Sequence, residues 1–169
     1  MDINKVISEF DKNRIILKTL FENLPSEFYL WRESDSKWNL LEILCHLYDE
    51  ERDDFRARVQ SVLESPFEEL KPIDPQGWVN SRKYSEQNYT YKLNDFLSER
   101  DKSIAWLKQL QNPKWDNAYV HQKFGNLTAK MFLYNWLAHD YLHIRQIIRV
   151  KYSYFKTISG ESFEYAGDW

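Results

Sequence analysis

The sequence predicts an all-α fold: a four-helix bundle of the up-down type with longer connections, in one domain over 1–169. Three observations carry this expectation. Glycine and proline number 4 and 5 in 169 residues, too few for a turn-rich β protein. Hydrophobic residues make up 43% of the chain and aromatic ones 17%, enough to fill one full core. Four long segments repeat apolar residues at three- and four-residue steps, the spacing of one helix face.

The first helix is expected over about Ile3 to Asn23, with Val6, Phe10, Ile15, Leu17, Leu20 and Phe21 as its apolar stripe and Pro25 ending it. The second is expected over about Leu40 to Glu64. Asn39 stands at its N-cap position and Glu42 follows three residues later, the pattern of a capping box. Its stripe is Leu40, Ile43, Leu44 and Leu47, then Phe55, Val59, Val62 and Leu63. The charged run from Asp49 to Arg58 reads as the solvated face. Residues 66–88, with three prolines and Gly77, read as a connection rather than an element; loops of that length are often functional or lid-like. The third helix is expected over about Tyr91 to Gln111, and the fourth over about Thr128 to Tyr152. The two longer connections leave room for a non-sequential helix order.

Charge and hydropathy exclude several functions. The formal net charge is −3, and no basic stripe interleaves with the aromatics, so nucleic acid is not an expected partner. Mean hydropathy is −0.69, and no apolar run approaches the roughly 20 residues of a membrane span. The opening MDINKVISEFDKNR lacks the apolar stretch of a secretory signal, so the expected location is cytoplasmic. The single cysteine, Cys45, rules out an internal disulfide and reads as a buried apolar filler.

The most informative fragment is His139-Asp140-Tyr141-Leu142-His143. Histidines four apart on a helix leave from one face, roughly 5–6 Å apart at Cβ, and can reach one metal ion. Their stripe is otherwise Phe132, Trp136 and Ile147, which belongs in the core. A buried imidazole without a partner costs about 1–3 kcal/mol, and a metal satisfies both rings at once. The spacing leaves open two hydrogen-bonded core histidines, or a pair at the surface. His46 lies on or beside the inward stripe of the second helix. If helices two and four are neighbours, it can face the other two rings, and three neutral imidazoles with open positions form a recurrent catalytic metal arrangement. Position 140 is Asp, so the H-E-x-x-H pattern of metalloproteases is absent. Asp140, turned about 100° from His139, reads as a surface or outer acid. Glu42 reads as the capping partner of Asn39 or an orienter of His46. His121, Asp49 and Tyr48 are the candidates to carry a proton in catalysis. Trp78 and Tyr84 interrupt the polar 66–88 loop and are the candidates for a pocket wall and for cofactor binding.

With these residues assembled, the chain resembles the DinB-like (DinB/YfiT) superfamily over nearly its whole length. The resemblance rests on Trp38-Asn39 opening a helix that carries Glu42 and His46. It rests also on the His139-x-x-x-His143-x-x-Gln146-Ile147 helix and on the ending Tyr165-Ala166-Gly167-Asp168-Trp169. It implies a four-helix bundle in which His46, His139 and His143 hold a divalent metal, zinc or nickel. It also implies a low-molecular-weight thiol as a further cofactor, since characterised relatives include thiol-dependent S-transferases and a thiol-dependent isomerase. The expected function is a metal-dependent transferase or hydrolase acting on a small electrophilic molecule, in a homodimer. The alternative is a non-catalytic dimeric stress-related or binding protein whose metal is structural or adventitious.

Overall fold

The computed structural model describes residues 3–167. Four long helical rods form the body. The first, α1, is Ile3–Phe21, followed by the short α2, Ser26–Tyr29. The second rod is continuous but not uniform: α3 (Leu40–Asp49), a π-helical segment (Glu50–Phe55) and α4 (Arg56–Glu64). After α5 (Pro75–Ser81) come the third rod, α6 (Tyr89–Gln109), and the fourth, α7 (Ala129–Ser159).

Local chemistry sets the ends. The capping box forms as read: Glu42 N–H donates to Asn39 Oδ1 at 2.9 Å, and Asn39 N–H donates to Glu42 Oε2 at 3.0 Å. Gly160 takes a left-handed φ of 68° just past α7, which the residue without a Cβ does freely. The fourth helix therefore runs seven residues beyond the expected Tyr152.

Beyond the four expected helices and the short α2, two further features stand out. The 66–88 connection holds α5, started by Asp74, whose side chain accepts from Gly77 N–H at 2.9 Å, with Pro75 at its first position. A Cβ on Gly77 would collide with that carboxylate. The link before α7 is a hairpin in which β1 (Ala118–His121) pairs antiparallel with β2 (Gly125–Thr128), His121 opposite Gly125. Gly125, at φ 69°, closes its three-residue loop.

The core falls into two clusters, and their membership gives the direction of each rod. One contains Leu17 and Phe21 from the end of α1, Leu40–Leu47 residues of α3, Leu93 and Phe96 from the start of α6, and Ile147 from the later part of α7. The other contains Val6 and Phe10 from the start of α1, Val59 and Val62 of α4, Ile104 and Leu107 from the end of α6, and Phe132 and Trp136 from the start of α7. The directions are therefore up, down, down, up. The four-rod bundle is as expected, while simple alternation is not what it shows. The 65–88 connection carries the chain back along the bundle, and Tyr84 buries itself in the first cluster on the way. The principal neighbours of α1 are α6 and α7; the second rod packs on α6 through α3 and on α7 mainly through α4. The first and second rods, and likewise the third and fourth, thus lie across the bundle from each other, while the second and third are neighbours.

Between the two apolar clusters lies a polar layer. Arg100, on α6, is 1% exposed and gives both terminal nitrogens to Asp140, at 2.6 and 2.7 Å. Its Nε donates to Glu51 Oε1 at 2.9 Å, and Trp136 Nε1 donates to Glu51 Oε2 at 2.9 Å. Asn13 Nδ2 donates to Asp140 Oδ2 at 3.1 Å, which brings in α1. The expectation of a solvated Asp49–Arg58 face fails here: Asp49, Glu50, Glu51 and Asp54 are all buried. Asp140 likewise is a buried ion-pair partner, not a surface acid. Asp49, Glu51, Asp54 and Asp140 tolerate burial because each is matched by a cation or hydrogen-bond donor, which composition alone does not reveal, while burial raises the Glu50 carboxyl toward its neutral form.

Removing one partner strands the others. Arg100→Met is expected to destabilise the fold by about 3–5 kcal/mol in urea denaturation followed by circular dichroism. Adding Glu51→Gln and Asp140→Asn to that variant is expected to recover part of the loss, because no orphaned carboxylate is left.

Candidate metal centre

The two His residues of α7 are placed by helix spacing, and His46 is brought to them by the packing of the second rod on α7. His143 Nε2 lies 3.0 Å from His139 Nε2, and His46 Nε2 lies 3.3 Å from it. A ligand atom from each of the three residues lies within 4.8 Å of the others. The structure thus joins the three histidines that the sequence singled out, from two separate rods. Trp38 stacks obliquely on His46 at a ring separation of 5.0 Å, and Phe55 on His139 at 4.9 Å. These rings shield the cluster on its apolar sides.

The donor set fits a divalent cation. Nitrogens about 2.0–2.1 Å from a tetrahedral ion lie roughly 3.3 Å apart, close to the spacings seen here. His143 Nδ1 meets Gln146 Oε1 at 2.8 Å, so that nitrogen carries the proton and Nε2 presents its lone pair. Gln146 stands in the motif quoted above. His46 Nδ1 is buried without a hydrogen-bond partner, and Glu50 Oε1, in the same condition, lies 3.9 Å away.

The electrostatics keep the rings neutral. Burial, reinforced by His143, pushes the His46 imidazole down to about 3. Burial pushes His139 down to about 2, helped by the neighbouring histidines and Arg100. His143 is also lowered by burial, against the opposing hydrogen bond to Gln146. Three imidazoles that resist protonation keep their lone pairs available at neutral pH. Glu50 moves the other way: burial and its hydrogen bond with Asp54 raise its carboxyl to about 8.

A cleft of about 510 Å³ is lined by His139, Phe55, Phe132 and Met131 together with the hairpin residues His121 and Phe124. His121 is half-buried there. Its Nδ1 accepts from the backbone N–H of Lys123 at 3.0 Å and of Phe124 at 3.2 Å, so its neutral form carries the proton on Nε2 and is a donor. Tyr48, Asp49 and Tyr84 line a different, smaller cavity of about 220 Å³, together with Cys45, Arg82 and Lys92. Asp49 accepts from Tyr84 Oη at 2.6 Å and pairs with Arg82 at 2.7 Å, so its carboxylate is engaged away from the triad. Trp78 stacks under the Arg82 guanidinium, 4.0 Å from the ring centre. Buried Cys45 has its thiol pushed up to about 12 by burial, which suits a filler and not a nucleophile. Sequence reasoning missed Gln146 as an imidazole partner and Glu50 beside His46. Their three- and four-residue offsets from His143 and His46 were the available signal.

A helical bundle with three converging imidazoles defines a class, and the family follows from comparison. The family model of the DinB superfamily matches residues 9–147, and the chain belongs to that superfamily. Among solved structures, YfiT from Bacillus subtilis superimposes with a TM-score of 0.76 at 18% identity, covering 94% of this chain and 88% of that one. That protein is described as a probable metal-dependent hydrolase with an unusual four-helix bundle topology. No curated protein matches the chain. Of the motif at the C-terminal end, Asp168 and Trp169 lie outside the described residues. No helix among the described residues is long and apolar enough to cross a membrane.

The lowered imidazoles give the metal-free protein a pH dependence of known sign. Unfolded histidine titrates near 6.5, so below that value the unfolded chain binds more protons than the folded one. Stability from neutral His46 is therefore full above about pH 6.5 and is lost as pH falls toward 3. Glu50, raised in the fold, contributes in the opposite sense, so the comparison must be made within one pair of proteins. Between pH 7 and pH 5 the urea midpoint of the metal-free wild type is expected to fall further than that of His46→Gln.

Proposed function

We propose that the chain is a divalent-metal-dependent hydrolase of a small molecule, with His46, His139 and His143 as the metal ligands. The observation that carries this reading is the convergence of three proton-resistant imidazole nitrogens at 3.0–3.3 Å beside an open cleft. Zinc and nickel both suit an all-imidazole set. A divalent cation held there supplies Lewis acidity, polarising an electrophile and lowering the pKa of water toward about 7.

The protein's own residues do the rest. The three rings contribute no negative charge, so the full double charge of the cation acts on the reaction. Gln146 fixes the His143 ring in the tautomer that exposes Nε2. Phe55 and Trp38 exclude water from the flanks of the centre, where a lower local dielectric strengthens each charge interaction. His121, which lines the same cleft, offers an Nε2–H to an oxygen that gains charge or leaves. A thiol S-transferase would use the same centre with a thiol in place of water; the likeness to YfiT favours hydrolysis.

The reading is tested by metal analysis of protein purified without an immobilised-metal column. About one divalent ion per chain is expected for the wild type, with at least a tenfold reduction in His46→Ala and in His143→Ala while the helical circular dichroism persists. Trace metal that neither substitution changes would remove the reading and leave a non-catalytic binding protein in its place.

A further inference from the structure

We propose that the cleft beside His139 takes the uncharged, apolar part of the substrate, so that this chain serves acyl or aryl compounds with an extended hydrocarbon portion. The proposal rests on the metal reading of the triad for where the reactive group lies, but its own basis is the lining of the cleft.

At about 510 Å³ the cleft falls within the roughly 300–1,000 Å³ of small-molecule sites. Its walls come from four places in the chain: Phe55 from the π-helical segment, Ile73 from the long connection, Leu127 from the hairpin, and Met131, Phe132 and Leu142 from α7. Among the described residues, one ion pair reaches it. Arg58 donates through Nε to Asp54 Oδ1, and the guanidinium also sits over the Phe132 ring at 5.7 Å. The two charges cancel, so no unmatched cation or anion awaits an ionic substrate. An ionic tail would give up hydration without gaining a partner, whereas an apolar one gains by leaving water. The remaining polar groups, Asn135, His121 and His139, are hydrogen-bonding groups that suit one polar function at the reactive end. A methionine in the wall suits hydrocarbon chains of varied shape, since its side chain repacks at low cost.

Alkyl hydroxamates separate the two parts, because the hydroxamate binds a metal and the tail reports on the cleft. On zinc-loaded protein, calorimetric Kd is expected to fall two- to fourfold per methylene from acetohydroxamate through hexano- to octanohydroxamate. Succinic monohydroxamate, with a charged tail, is expected to bind no better than acetohydroxamate. Phe124→Asp and Ile73→Asp, both outside the two core clusters, are expected to abolish the chain-length gain. On metal-free protein the neutral fluorophore N-phenyl-1-naphthylamine is expected to bind, and at least fivefold more weakly to both variants. A Kd independent of chain length, or tighter binding of the charged tail, overturns the cleft proposal while leaving the metal reading intact. Fluorophore binding that both variants weaken, with no hydroxamate bound, upholds the cleft and overturns the metal reading.

Discussion

The buried guanidinium of Arg100 is the constraint on which the rest of this structure turns. It satisfies two carboxylates from two other rods, and those carboxylates are further held by Trp136 and Asn13. Four rods are thereby tied at one level. A layer of this kind is costly to desolvate, so it forms only when every member is matched. That requirement gives it geometric authority: a rod that slides by one turn leaves a charge in apolar surroundings. Apolar packing above and below would tolerate such slips more easily, since aliphatic contacts are not directional.

The histidine cluster is built on the edge of this layer. Asp140 is the residue after His139, and Glu51 is the residue after Glu50, which faces His46. The fixed partners of Asp140 and Glu51 therefore set where the α7 imidazoles and the second rod meet. The π-helical segment has a role here. It begins just after α3 and turns Glu50, Glu51, Asp54 and Phe55 inward together, an arrangement that one face of a regular helix does not provide so readily. Arg100 also acts at a distance, adding its positive charge to the factors that keep His139 unprotonated. Structure and chemistry share the same ions.

Much of this was legible in the chain. Asn39 and Glu42 announce a helix start because the capping box is a local device, complete within four residues. The i, i+4 spacing of His139 and His143 fixes their common face without knowledge of any neighbour. His46 was harder, since its partnership depends on which rods are adjacent. The charged run from Asp49 to Arg58 misled because charge is read as exposure, and the matching Arg100 stands in a different helix. Rod direction was likewise hidden. Alternation is the economical assumption for a bundle, and only the placement of the 65–88 connection, which recrosses the molecule, shows otherwise. The hairpin escaped notice because strands of four residues carry almost no periodic signal. Asp74-Pro75 was a visible start signal for α5, outweighed by the prolines around it.

The order of the rods has a bearing on how the chain is made. A ribosome releases α1 first, yet its apolar face is covered by α6 and α7, the last two long helices. The second rod, though next to emerge, lies across the bundle from it. The nascent protein must therefore carry an uncovered amphipathic helix through most of its synthesis. The three imidazoles can face each other only once the final rod has emerged past His143, so a translation product that stops before α7, however helical, lacks two of the three rings.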